Sequence, residues 1–144
     1  MDATIRTVRE DLAALLRDAV PGVNVYPHVP AAPMVPAIIV VPDEPYMEPA
    51  TIGRDPVRLT VRFRVHALVG LADNAGGLDR AERLIVAVCA SLPSGYHVGT
   101  VTRPGVTTVG TTDVLETDVT VQTTVKLDAG LSVSPFTAEF RQEF

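Results

Sequence analysis

Apolar residues occupy every second position of residues 57–69: Val57, Leu59, Val61, Phe63, Val65, Ala67 and Val69, with Arg58, Thr60, Arg62, Arg64 and His66 between them. Successive side chains of a strand point to opposite faces, so this stretch predicts a half-buried β-strand with one oily and one cationic face. At about 3.3 Å per residue it would extend roughly 40 Å, well beyond a usual strand of five or six residues. A strand of that length has to cross a whole domain or project past it. Its three arginines need a partner, and what that partner is bears directly on function.

A second alternation closes the regular part of the chain. Val119, Val121, Thr123, Val125 and Leu127 fall on one face, and Glu116, Asp118, Thr120, Gln122, Thr124 and Lys126 on the other. If the two strands are neighbours, Glu116 and Asp118 sit opposite members of the Arg58, Arg62, Arg64 row, each pair worth about 0.2–1 kcal/mol on an exposed face. The same acids could pair between subunits instead.

Residues 4–19 carry Ile5, Val8, Leu12, Leu15, Leu16 and Ala19 at helical spacing, and Pro21-Gly22 stops the helix. A second helix is expected over residues 78–92, with Leu78, Ala81, Leu84, Ile85, Val88, Cys89 and Leu92 as its stripe and Asp79-Arg83 as a surface pair. Residues 73–77 before it read as a turn. Residues 23–29 predict a short edge or bent strand interrupted by Pro27. Residues 37–41 form a compact β-branched run, expected to be covered on both faces. Residues 42–56, with four prolines and four acids, predict a long loop. The Val- and Thr-rich stretch 98–127 predicts two or three strands in meander order. Together these elements imply an α+β domain: a mostly antiparallel or mixed sheet of about four to five strands with two helices packed on one face.

At 144 residues the chain is read as one domain, residues 1–127, followed by a C-terminal arm, 128–144. Three of its four phenylalanines, Phe136, Phe140 and Phe144, lie in that arm at four-residue spacing, one stripe of a helix. Such an apolar segment docks on its own domain or reaches a neighbour. Apolar residues make up 47%, yet no run approaches the ~20 residues that span a bilayer. The start, Met1-Asp2-Ala3-Thr4, has an acid at once and no apolar run behind it, so no secretory signal is expected. Cys89 has no second cysteine to pair with, and synthesis in the cytoplasm fits both observations. A net charge of −5 argues against a general nucleic-acid coat.

No catalytic or ligand-binding arrangement emerges. His28, His66 and His97 are scattered, without His-x-x-x-His or Cys-x-x-Cys spacing, so no metal site is expected. Cys89 lies in a helix stripe and reads as a packing residue. Gly76-Gly77 precedes a helix, but neither Gly-x-Gly-x-x-Gly nor Gly-Lys-Ser/Thr is present. Asp43 and Glu44 read as a solubilising pair rather than an acid/base couple. The chain is therefore expected to be neither an enzyme nor a cofactor binder. Its cationic strand face has three readings: paired within the sheet, an interface to another subunit, or a nucleic-acid surface. The absence of Trp and of interleaved aromatics ranks the last below the second.

The order helix, short strand, Pro-rich link, strand, acidic loop, long strand, helix and Thr/Val-rich meander resembles the tail terminator, or tail-completion, proteins of long-tailed bacteriophages. The resembling features are the Val8-Arg9-Glu10-Asp11-Leu12 helix, the proline-bracketed strand 33–42, the strand around Arg62-Phe63-Arg64-Val65, the Asp79-Arg80-Ala81-Glu82-Arg83-Leu84 helix and the closing strand 117–125. The resemblance covers residues 3–127 and is one of layout; the arm 128–144 departs from it. It implies a structural virion protein, made in the host cytoplasm. Such a protein forms a hexameric ring on the head-proximal end of the tail tube, ends tube polymerisation and meets a head-completion or connector protein. DNA only passes through the channel, and no membrane is involved. On this reading Arg58, Arg62, Arg64, Glu116 and Asp118 are candidate subunit or partner contacts, and Phe136, Phe140 and Phe144 an anchoring arm. A head-tail connector or minor tail protein, and a small dimeric metabolite-binding module, are the alternatives.

Overall fold

A computed structural model of the chain describes residues 5–50, 57–71 and 74–127. Its elements run α1 (Ile5–Ala19), β1 (Asn24–Tyr26), β2 (Ala37–Pro49), β3 (Val57–Gly70), α2 (Asn74–Ser91), β4 (Tyr96–Val101), β5 (Gly105–Val109) and β6 (Thr112–Leu127). The expected arm, with Phe136, Phe140 and Phe144, lies outside the described residues, as do residues 51–56 of the expected loop.

The two alternating stretches are direct neighbours. β3 and β6 pair antiparallel in one unbroken register, from Val57 opposite Leu127 to Gly70 opposite Val114. Cross-strand partners share a face, so the apolar sets of the two strands merge: Val61, Phe63, Val65, Ala67 and Val69 beside Leu115, Val119 and Val121, all buried. Both helices cover this face. Val8, Leu12 and Leu16 of α1, spaced four apart, join Ala81, Leu84, Ile85 and Val88 of α2 and the sheet in one hydrophobic cluster. Each large aliphatic side chain buried there contributes about 1.5–3 kcal/mol.

The sheet has six strands in the order β1-β2-β3-β6-β4, with β5 also paired to β6. β1 is parallel to β2 and the other pairs are antiparallel. The architecture is the expected α+β, with the helices on one face. β4 and β5 take successive lengths of the outer side of β6, one reaching Thr123 and the other ending at Thr112. Thr102 bridges the gap between them: its N–H donates to the Asp118 carbonyl (2.8 Å) and its hydroxyl accepts the Asp118 N–H (2.9 Å). The β5–β6 hairpin turns at Gly110, whose φ of 65° suits the first central position of a two-residue turn.

The expected meander is not found, since β4 and β5 both pair with β6, the expected strand 23–29 is only Asn24–Tyr26, and two further boundaries differ from expectation. Residues 42–49 are not loop but the second half of β2, which follows β3 as far as Pro49 opposite Leu59. The prolines are tolerated there because β1 pairs only with residues 37–39. Beyond that point the outer side of β2 is an edge among the described residues, and a missing N–H leaves no ladder bond unmade. α2 starts at Asn74 rather than at residue 78, taking Gly76 and Gly77 into its first turns. As expected, Ala37, Ile38, Ile39 and Val40 are buried on both faces. On the side that carries no helix among the described residues, Ala37, Ile39, Leu68 and Val114 form a small second cluster against which Tyr26, Val35, Val41 and Val109 pack.

Candidate functional site

The helix-free face of the sheet carries the charged side chains singled out in the sequence, and register decides how they meet. Arg62 lies opposite Gln122, Arg64 opposite Thr120, His66 opposite Asp118 and Leu68 opposite Glu116. Glu116 and Asp118 therefore fall too far along β6 to answer the arginine row, contrary to the sequence expectation. The arginines turn to β2 instead. Arg62 pairs with Glu48, and Arg64 Nη2 lies 3.1 Å from Asp43 Oδ1. Arg58 stands opposite Lys126, a like charge, and makes no ion pair among the described residues.

Asp43 reaches this face by the same alternation as Ile39 and Val41, whereas Glu48 reaches it because β2 bulges between Pro42 and Met47, which reverses the alternation beyond it. Within the bulge Tyr46 turns to the opposite side and packs edge-on against Phe63, ring centres 5.9 Å apart. The Asp43 side chain is only 9% exposed. It accepts the Glu44 N–H at 2.8 Å and the Thr120 hydroxyl at 2.9 Å. Burial pushes its carboxyl up, but the Glu44 N–H, the Thr120 hydroxyl and the Arg64 guanidinium together hold it below the usual carboxylate range. Asp43 thus pins the β2 bulge to both central strands.

At the next row His66 Nδ1 stands between two carboxylates, 2.6 Å from Asp118 Oδ1 and 3.1 Å from Glu116 Oε2. Burial pushes the Glu116 carboxyl up, the neighbouring Asp118 adds to the rise, and His66 opposes it. One donor atom from each of the three residues lies within 4.8 Å of the others, a nitrogen-and-oxygen set that could hold a divalent cation. In the arrangement present, the imidazole already bridges both carboxylates. The group could take up a cation, and its carboxylates and imidazole are also side chains of the kinds that act as bases or nucleophiles.

His66 and Glu116 also line a cleft of about 300 Å³, floored by Ile39 and Leu68 and walled by the segment after β1 and by Thr107 to Val109 of β5. Asn24 Nδ2 holds that segment by donating to the Met34 carbonyl at 2.8 Å, and the Met34 N–H donates to the Tyr26 hydroxyl at 3.2 Å. Cys89 is half-buried in α2, packs against the main cluster, and burial pushes its thiol up, away from reactivity.

Sequence reasoning missed the parts that Asp43, Glu48 and His66 play. Spacing did signal half of the His66 cluster: Glu116-x-Asp118 puts two acids on one strand face. Which β3 residue they meet depends on a register that the alternation alone leaves free. The sequence matches no family model, and no curated protein matches it. No helix among the described residues is long and apolar enough to cross a membrane.

Proposed function

We propose that this protein is a structural component of a phage-type tail, capping the head-proximal end of the tail tube as a ring and offering its other side to a head-completion or connector protein. The observation that carries the reading is the order and layering of elements over residues 5–127. A helix, a short strand, a long sheet-crossing strand, a second helix and a closing long strand put both helices on one face and leave the other face open. This is the layout on which the resemblance to tail terminator proteins rests.

A closed ring needs two different, complementary patches on each subunit. The two sheet edges are of that kind. One is the outer side of β2 with its acids and prolines; the other is the β4–β5 strand line, where Val98, Val101 and Val106 are 39%, 41% and 63% exposed. Arg58 remains a candidate subunit contact. Arg62, Arg64, Glu116 and Asp118 already have partners in their own chain, so a neighbour would meet them as preformed pairs. On this reading the protein acts in the virion, with DNA only passing through its channel.

The test is to add the purified chain to tail tubes and to polymerising tube subunits and inspect both by negative-stain electron microscopy. A ring-shaped cap on one tube end, with tube growth stopped, supports the proposal; tubes that stay bare and keep growing overturn it. The second reading, a small dimeric metabolite-binding module, draws on the cleft beside His66 and requires a small molecule that raises the melting temperature.

A further inference from the structure

We propose that the cleft between the polar side of α1 and the chain just after β1 binds a small phosphate-bearing ligand, held by Arg6, Arg9 and Arg17. The cleft is about 560 Å³, within the size range of small-molecule sites, and is lined by Arg6, Arg9, Glu10, Arg17, Pro27 and His28. Among the described residues, three permanent cations and an imidazole line it beside one carboxylate, in a chain whose net charge is −5. Helical periodicity explains how α1 assembles them. Arg6 and Arg17 are eleven residues apart, close to three full turns, and Arg9 and Glu10 flank the same line.

The state of each guanidinium points to an anion. Arg17 Nη2 donates to the Val25 carbonyl at 3.1 Å, which fixes the group at the rim and ties α1 to β1. Arg6 Nε lies 2.7 Å from Glu10 Oε1, and both side chains are largely exposed, so water and salt weaken this pair and a ligand can displace it. Arg9 lines the cleft as well. Its Nε is closed off from solvent, so an anion in the cleft would meet the remaining, accessible part of this side chain and its charge.

A phosphate group fits better than a carboxylate. Guanidinium forks match tetrahedral oxyanions through paired N–H donors, and three cations against one acid leave an excess of two charges, which a dianion neutralises. Among the described residues the lining has no Phe, Tyr or Trp, and His28 is its one ring, so recognition rests chiefly on the phosphate group.

Calorimetric titration of the full chain with inorganic pyrophosphate tests this, with a short single-stranded oligonucleotide as a second arm. Circular dichroism melts establish that each variant is folded. Pyrophosphate is expected to bind once per protomer, with affinity falling as salt rises. Arg9→Gln should weaken binding about tenfold or more, as for a lost charge-assisted hydrogen bond. Arg6→Gln, at an exposed position that the fold does not need, should weaken it several-fold. Arg103→Gln, between β4 and β5, should leave it unchanged. No binding at millimolar pyrophosphate overturns the proposal, as does equal loss in Arg103→Gln or wild-type affinity in both Arg6→Gln and Arg9→Gln. Binding of the oligonucleotide without pyrophosphate also overturns it, and identifies an open nucleic-acid surface instead.

Discussion

Asp43 and Glu116 sit two strands apart on one sheet face and respond to pH in opposite senses. The Asp43 carboxyl is held below its ordinary value, so its ionised form stabilises the fold above the unfolded carboxylate pKa of about 4, and this contribution is lost as pH falls through the lower native value. Asp43→Asn should therefore lower stability by about 1–2 kcal/mol at neutral pH, with the two proteins converging in acid, as read by urea denaturation across pH. The Glu116 carboxyl is raised, so its contribution is present below the unfolded value and lost as pH rises through the native one. Glu116→Gln should be at least as stable as wild type at neutral pH and hold no advantage in acid. Thr117 poses a different residue-scale problem: it is buried on the helix-covered face and its hydroxyl has no partner among the described residues. Thr117→Val should remove that unsatisfied group and stabilise by about 1 kcal/mol, a rise of roughly 2–5 °C in a thermal melt.

At the scale of elements, legibility followed periodicity. β3, β6 and the core stripes of both helices could be read because each repeats its apolar positions over several turns or pleats. The second half of β2 could not, since Pro42, Pro45 and Pro49 signal a break anywhere except along a sheet edge, and being an edge is a property of the assembled sheet. The start of α2 was hidden for a similar reason: Gly76-Gly77 has poor local helix propensity, which the packing of the later turns overrides. The candidate site suffered most. Its ion pairs depend on the β2 bulge and on the β3–β6 register, and neither follows from one strand's pattern. The β4–β5 edge yields its own prediction. Lysine at Val101 and Val106 places charge on exposed edge positions, which blocks strand-edge association while leaving the core untouched. The double variant should melt like wild type but sediment as a smaller species.

For the molecule as a whole, and among the described residues, the helix-covered face is used up by its own core, which leaves the other sheet face, the two edges and the α1 cleft to meet other molecules. Much of that surface is charged, and contacts of this kind weaken once salt shortens the screening length to a few ångströms. Ring formation is the central claim, and the mass of the purified chain in solution tests it most directly. Light scattering over rising protein concentration, at low and high salt, should find a closed species of six times the 15.3 kDa protomer that loosens as salt rises. A salt-independent dimer would contradict it.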